Sequence, residues 1–168
     1  MKEIDFTKAM NLTSPQPLMA VCTRKADGTT NIAPVSFLAY VSFQPPMIAF
    51  AMMKPSLSGE RFRETKEAIL AVPSGKIGNA LLYCGKVSGR TVDKAAKCKL
   101  ELVEVAGSEI KIPAETEVAF VVSLNQVVET GDHFLHICDI KKILADESKN
   151  DMLFAWNGYS KIAAAVMK

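Results

Sequence analysis

The sequence lacks the short motifs that mark several large enzyme classes. It has no GxGxxG or GxxxxGK[ST] phosphate loop, no GxSxG nucleophile turn and no HExxH zinc helix. Only 2 histidines are present, and the 4 cysteines include no CxxC pair. If the protein is an enzyme, the best route is therefore chemistry carried by a bound cofactor, for which the protein supplies binding, orientation and electrostatics.

Charge and long apolar runs are also scarce. A net charge of +2 is too small to predict a nucleic-acid or anionic-membrane surface. No segment approaches the roughly 20 apolar residues of a membrane span, and the N-terminus lacks the apolar core of a signal peptide. We therefore expect a cytoplasmic protein without nucleic-acid or membrane partners. Because no linker or repeat interrupts the 168 residues, we expect a single domain over 1–168.

Apolar runs separated by turn residues predict seven or eight strands and two or three short helices. Asp27 and Gly28 predict a hairpin turn, and prolines at 45 and 46 end the second strand. The predicted strands cover 16–24, 30–42, 47–53, 68–73, 100–105, 116–128, 133–144 and 152–162. One predicted helix begins with Ser58 as its N-cap, and two more cover 76–83 and 92–98. Without βαβ alternation, this order predicts a mainly β, antiparallel barrel with short peripheral helices.

The two histidines raise the question of a metal site. His133 and His136 lie near Asp132 and Cys138, but residues three apart on a strand point to opposite faces. At most His136 and Cys138 share a face, so the pattern does not favour a metal. His133 alone is either a surface residue at the end of a turn or a residue that contacts a cofactor or substrate.

Residues 54–58 form a candidate phosphate site before a predicted helix. Hydroxyls of Ser56 and Ser58, the charges of Lys54 and Arg61 and the amides of a helix N-terminus would together bind an anion. A solvated helix N-terminus with nearby surface charges would give the same pattern.

A proline interrupts the otherwise regular strand of residues 31–37. Pro34 indicates an edge strand or a bulge, where unpaired backbone groups could bind a planar ligand. An edge strand without a ligand is the alternative reading.

Five segments occur together in a distinctive order: TTNIAPVSF, QPPMIAF, KPSLSGERFRETKEAILAVPS, GDHFLHICDI and WNGYSKI. In this order the chain resembles the flavin reductase-like, FMN-binding split-barrel family, nearest its flavoredoxin branch. CGKVSGRTVDK resembles the middle segment of that branch. The resemblance implies an antiparallel Greek-key split β-barrel with FMN as cofactor.

The resemblance also assigns roles to individual residues. The strand 31–37 would follow the flavin ring, and residues 51–58 would line the ribityl chain and phosphate. Lys94 would add a second cation, Gly158 and Tyr159 would close the pocket, and His133 would contact substrate. The implied cofactor-binding residues are Asn31, Ala33, Pro34, Val35, Ser36, Phe37, Met52, Lys54, Ser56, Ser58, Lys94 and Tyr159.

The function implied by the resemblance is an NAD(P)H-dependent flavin reductase that works as a homodimer. NADH or NADPH would reduce bound FMN, and the electrons would pass to free flavin, a metal complex or a redox protein. Two alternatives are a flavoredoxin-type electron carrier without NAD(P)H activity and a non-catalytic flavin-binding module.

Overall fold

The structure is a computed structural model, and it describes residues 1–165. The helices are α1 (Phe6–Leu12), α2 (Leu57–Thr65), α3 (Gly78–Lys86) and α4 (Lys94–Cys98), with a 3₁₀ segment at Gly75–Ile77. The strands are β1 (Gln16–Pro17), β2 (Met19–Arg24), β3 (Thr30–Val35), β4 (Leu38–Phe43), β5 (Pro46–Met53), β6 (Glu67–Pro73), β7 (Leu102–Val103), β8 (Ile112–Pro113), β9 (Thr116–Thr130), β10 (His133–Ala145), β11 (Leu153–Trp156) and β12 (Lys161–Ala164). Within this part of the chain, no helix has the length and apolarity needed to cross a membrane.

The main sheet is antiparallel and has the strand order β3-β2-β6-β9-β10-β5-β4. Its two edge strands, β3 and β4, are consecutive in the chain and are separated only by Ser36 and Phe37. Three peptide steps reach at most about 11 Å, whereas the edges of a flat seven-stranded sheet lie about 29 Å apart. The sheet must therefore curl until its two edges come close to each other at this corner, which confirms the predicted antiparallel barrel.

The chain makes one crossing over the end of this barrel. β5 and β6 follow each other in the sequence, but β6 pairs with β2 rather than with β5. The helix between them, α2, contacts β2, β3 and β5. This return to the first strand is a Greek-key connection, as expected, and it carries α2 to the end of the barrel beside β3.

Two apolar clusters lie on opposite faces of the same strands. In β2, Met19 and Val21 face the barrel interior, whereas Ala20 and Cys22 face an outer cluster. The outer cluster packs the sheet against α3, β11 and β12. Because side chains alternate along a strand, burial on both faces explains the continuous apolar sequences of β2 and β6.

Several element boundaries differ from those predicted. The strand predicted at 30–42 breaks at Ser36 and Phe37, because the chain there passes from one edge of the sheet to the other. The strand predicted at 152–162 is a hairpin, β11 and β12, and only Leu102–Val103 of the segment 100–105 is paired. Helix α2 begins at Leu57 with Ser56, not Ser58, as its N-cap. Helix α1 was not predicted.

His136 is fully buried at the end of the barrel beside α2. Its ring stacks on Phe50 at 5.2 Å between centroids and lies 5.5 Å from the ring of Phe62. Its Nε2 is 3.4 Å from Nη1 of Arg63, and its Nδ1 has no hydrogen-bond partner. Burial, followed by the charge of Arg63, lowers the pKa of His136 to about 4. This histidine is therefore a neutral core residue.

The neutral state of His136 makes the stability of the protein depend on pH. The unfolded chain binds this proton near pH 6.5 and the folded chain near pH 4, so His136 destabilises the fold as the pH falls through this interval. Between pH 7.5 and pH 4, we expect wild type to lose about 3 kcal/mol more free energy of unfolding than His136→Phe. Urea unfolding of both proteins at both pH values measures this difference. Groups that titrate in the same way in both proteins cancel from it. An equal loss in the two proteins would contradict the prediction.

Candidate functional site

A cavity of about 540 Å³ opens between β3, the first turn of α2 and the segment 82–89 at the end of α3. Its volume is in the range of cofactor and small-molecule sites. It is lined by all the predicted cofactor residues except Lys54: Asn31, Ala33, Pro34, Val35, Ser36, Phe37, Met52, Ser56, Ser58, Lys94 and Tyr159. The structure thus brings together segments that are far apart in the sequence.

Pro34 lies on the free edge of the sheet, as its position in the strand predicted. β3 pairs with β2 on one side only, and Pro34 is opposite Ala20 in this pairing. Residues two apart on a strand direct their backbone groups to the same side, so Pro34 and Ile32 face the same edge. The carbonyl of Ile32 is bound there by the Lys94 amine. A proline has no N–H, so its place on this edge leaves no donor unsatisfied.

The first turn of α2 presents hydroxyls and amides at one end of the cavity. Ser56 Oγ accepts a hydrogen bond from the Gly59 N–H at 3.3 Å, which identifies Ser56 as the N-cap. Ser58 is buried, and its Oγ accepts from Asn31 Nδ2 at 2.8 Å. The amides of Leu57 and Ser58 precede the first intrahelical bond, which Glu60 donates to Ser56. This end of the cavity is suited to an anionic group.

The segment 82–89 forms a wall that the sequence did not predict. A Cβ at Gly89 would lie 1.9 Å from Asn31 Oδ1 and 3.1 Å from Leu57 Cδ2. A Cβ at Gly85 would lie 3.0 Å from Pro34 Cγ. The two glycines thus let this loop approach β3 and α2 closely. Met10 of α1 also lines the cavity. The glycine-rich sequence CGKVSG was the available signal for the loop, whereas nothing in the sequence indicated Met10.

Lys94 is a buried cation in the cavity wall, only 6% exposed. Its Nζ donates to the carbonyls of Ile32 at 3.0 Å and Cys84 at 2.7 Å. Burial is the main cause that lowers the pKa of Lys94. Among the described residues that line the cavity, none is Asp or Glu, and Lys86 is a second, exposed cation. The field in the cavity therefore favours an anion.

Tyr159 closes the cavity near the corner between β3 and β4. It lies in the turn of the β11–β12 hairpin, where Asn157, Gly158 and Tyr159 have φ values of 48°, 59° and 68°. Positive φ is uncommon for residues other than glycine, so contacts around the turn must hold Tyr159 in place. Burial raises the pKa of the Tyr159 hydroxyl to about 12, and a hydrogen bond with Ser36 opposes this shift.

Lys54 is the predicted cofactor residue that does not line the cavity. Its amine binds Glu129 of β9 at 2.5 Å, and its backbone N–H donates to the carbonyl of Asp132. The Lys54 charge is thus directed to a carboxylate on the far side of β10 rather than to the helix N-terminus. The ion pair lowers the pKa of Glu129, chiefly through its hydrogen bond.

His133 lies beside the cavity rather than in its wall. Its ring is 5.5 Å from that of Phe37, a lining residue that is 39% exposed. Its Nδ1 is 2.6 Å from Asp132 Oδ1, and this hydrogen bond lowers the pKa of Asp132. His133 is therefore oriented at the rim, whereas His136 is in the core. The divergence of the two histidines follows from their spacing on β10.

The family described as flavin reductase like domain matches residues 10–163 of the chain. A flavin reductase from Pseudomonas putida is 26% identical over 151 residues, which cover 89% of this chain and 85% of the relative.

Solved structures share the fold over the whole chain. The flavoredoxin of Desulfovibrio vulgaris (Miyazaki F) has a TM-score of 0.84 and 23% identity, covering 100% of this chain and 95% of its own. An FMN-binding protein from Thermus thermophilus with bound p-hydroxybenzaldehyde has a TM-score of 0.84 and 16% identity, covering 100% of this chain and 97% of its own. At these identities, the likeness establishes the split-barrel fold.

The contact between Gly89 and Asn31 gives a testable prediction. In Gly89→Ala the new Cβ displaces the Asn31 side chain, breaks its bond to Ser58 and leaves a buried hydroxyl unsatisfied. We expect the free energy of unfolding to fall by about 1–3 kcal/mol. In an Asn31→Ala background the same substitution should cost less than about 0.5 kcal/mol, because the displaced group is gone.

Chemical denaturation of the four proteins in this cycle measures both costs. Gly131→Ala is the matched control, since a Cβ at Gly131 meets no atom within 4 Å. Equal costs of Gly89→Ala in both backgrounds would contradict the contact.

Proposed function

Because the chain belongs to the flavin reductase-like domain family, we propose that it is a flavin-dependent oxidoreductase with FMN in the cavity between β3 and α2. NADH or NADPH would reduce the flavin, and the electrons would go to free flavin, a metal complex or a redox protein. The observation that carries the proposal is a cavity with a helix N-terminus at one end, a free strand edge along one wall and no carboxylate among its described lining residues. The match over residues 10–163 supports one domain across the chain.

The two ends of the cavity fit the two parts of FMN. The phosphate fits the first turn of α2, where Ser56, Ser58 and two unpaired amides lie. The flavin ring fits the wall formed by β3 and the corner after it, where Ala33, Pro34 and Val35 give apolar surface beside unpaired backbone groups. Met52 lies between these parts, and Tyr159 closes the end near Ser36. A volume of about 540 Å³ accommodates a cofactor of this size.

Bound FMN would supply the redox chemistry by accepting a hydride and releasing electrons one or two at a time. The residues of the chain need no acid or base for this reaction. Their tasks are to orient the ring, to hold the phosphate and to leave one face of the ring open. The rim beside Phe37 and His133 is the place at which a nicotinamide would approach. His133, fixed by Asp132, is the residue proposed to contact this substrate.

A visible absorption spectrum tests the cofactor, and anaerobic reduction tests the reaction. We expect the purified protein to keep one FMN per chain after excess flavin is removed, and NADH or NADPH to bleach it rapidly in a stopped-flow experiment. A protein that stays colourless after addition of FMN contradicts the proposal. Bleaching only by dithionite or a ferredoxin-like donor would instead identify an electron carrier, and bound FMN that no physiological donor reduces would identify a binding module.

The variant His133→Ala tests the proposed contact between His133 and the nicotinamide substrate. Because His133 lies outside the wall of the cavity, FMN affinity should stay within about twofold of wild type, while the rate of bleaching by NAD(P)H should fall about tenfold, or ~1.4 kcal/mol.

We further propose that two copies of the chain pair through the exposed face of β4. Tyr40, Val41 and Phe43 are 61%, 51% and 100% exposed. Large exposed apolar side chains that lie close together along one strand are typical of protein interfaces. β4 follows Phe37, a lining residue of the cavity, so a second copy on this face would lie next to the FMN site.

The oligomeric state of Phe43→Glu tests this pairing. We expect wild type to sediment as a dimer at micromolar concentration and the variant to shift to monomer, because dimer formation would bury the new charge. Val103→Glu is the control, since Val103 is an exposed apolar residue on the separate β7–β8 hairpin. A monomeric wild type, or a dimer that Phe43→Glu leaves intact, would contradict the proposed face.

A further inference from the structure

Lys94 has one N–H donor that the protein does not use. An ammonium group carries three donors. Two of them bind the carbonyls of Ile32 and Cys84, at 3.0 Å and 2.7 Å. Because Lys94 also lines the cavity, a ligand bound there could accept the third hydrogen bond.

The charge of Lys94 is not neutralised by a carboxylate. Among the described residues, none of the ion pairs between basic and acidic side chains includes Lys94. Within the described residues, its charge is partly compensated by the two carbonyls that it binds, and the Cys84 carbonyl lies in the last turn of α3, at the negative end of that helix. A buried cation without an anion is costly, and an anionic group in the cavity would supply the missing partner.

The position of the Lys94 amine at the free edge of β3 favours the flavin ring over the phosphate. Ile32 and Pro34 face the same free edge, and Pro34 has no N–H to offer a ligand there. The Lys94 amine, fixed on the Ile32 carbonyl, places a donor on the edge where the proline removes one. The first turn of α2 already provides hydroxyls and amides for a phosphate without Lys94.

We propose that Lys94 donates its third hydrogen bond to the pyrimidine edge of the flavin ring and selectively stabilises the reduced, anionic flavin. This inference rests on the proposed FMN site. Hydride addition to a flavin leaves one more negative charge on its ring than the oxidised form carries. A fixed cation at that edge therefore binds the reduced state more tightly than the oxidised state, and only such a difference changes a redox equilibrium.

The test compares Lys94→Met with Lys86→Met, a control that removes the exposed cation lining the same cavity. Dissociation constants of oxidised FMN and riboflavin come from fluorescence titration, and the midpoint potential of the bound FMN comes from anaerobic dye equilibration. In Lys94→Met, affinity for reduced FMN should fall at least tenfold more than affinity for oxidised FMN, which lowers the two-electron potential by about 30 mV. In Lys86→Met the difference should stay below about threefold, because water screens the exposed charge.

Ser56→Ala distinguishes the ring from the phosphate. It should reduce the preference for FMN over riboflavin, whereas Lys94→Met should leave that preference unchanged. The proposal is overturned if Lys94→Met weakens both redox states equally, which indicates a structural role, or if it removes the FMN preference, which indicates a phosphate ligand.

A second measurement needs no variant and so covers the case in which Lys94→Met does not fold. In photoreduced wild-type protein, absorption should show the N1 proton of the reduced flavin leaving at a lower pH than in free reduced FMN. An equal or higher pH overturns the proposal. Failure of wild type to bind any flavin would instead overturn the proposed FMN site itself.

Discussion

Ser36 and Phe37 are all that separates two strands at opposite edges of one seven-stranded sheet. This short connection forces the sheet to close, and the closure decides where the cavity lies. The Phe37 carbonyl accepts a hydrogen bond from Ala51 at 2.8 Å, which holds the corner against β5. The two edge strands do not pair with each other, so β3 keeps one unpaired side, and the connection through α2 brings a helix N-terminus next to it. The site is therefore a consequence of the topology before any side chain is considered.

An unpaired strand edge normally invites another strand. In this protein, each polar backbone group of that edge is satisfied or removed in a different way. Pro34 carries no donor, the Ile32 carbonyl is bound by Lys94, and Ser36 is in contact with Tyr159 from a turn of positive φ. The glycine-rich loop 85–89 covers the edge closely without pairing with it. These features block the addition of a strand and leave room for a planar ligand.

The sequence predicted the parts of the site whose signals are local. A proline inside an apolar strand indicated an edge, and serines before a helix indicated its N-terminus, and the structure has both. The sequence could not predict features that depend on distant partners. Lys54 turns away because Glu129, far along the chain, attracts it. Lys94 is held by two backbone carbonyls, which no side-chain pattern encodes. The break at Ser36 depends on closure of the whole sheet, so a continuous strand was the natural local reading.

The charges around the cavity indicate which part of the proposed chemistry the side chains supply and which part the cofactor supplies. Carboxylates are absent from its described lining, and positive potential comes from a helix N-terminus at one end and a buried ammonium in the wall. Such an arrangement stabilises negative charge, and the reaction proposed here needs no side chain that exchanges a proton with a substrate inside the cavity. Tyr159 is not such a side chain, because burial raises its pKa to about 12. In the proposed function, the reactivity would come from the bound cofactor, while the fixed charges of the chain would decide which of its redox states is held more tightly.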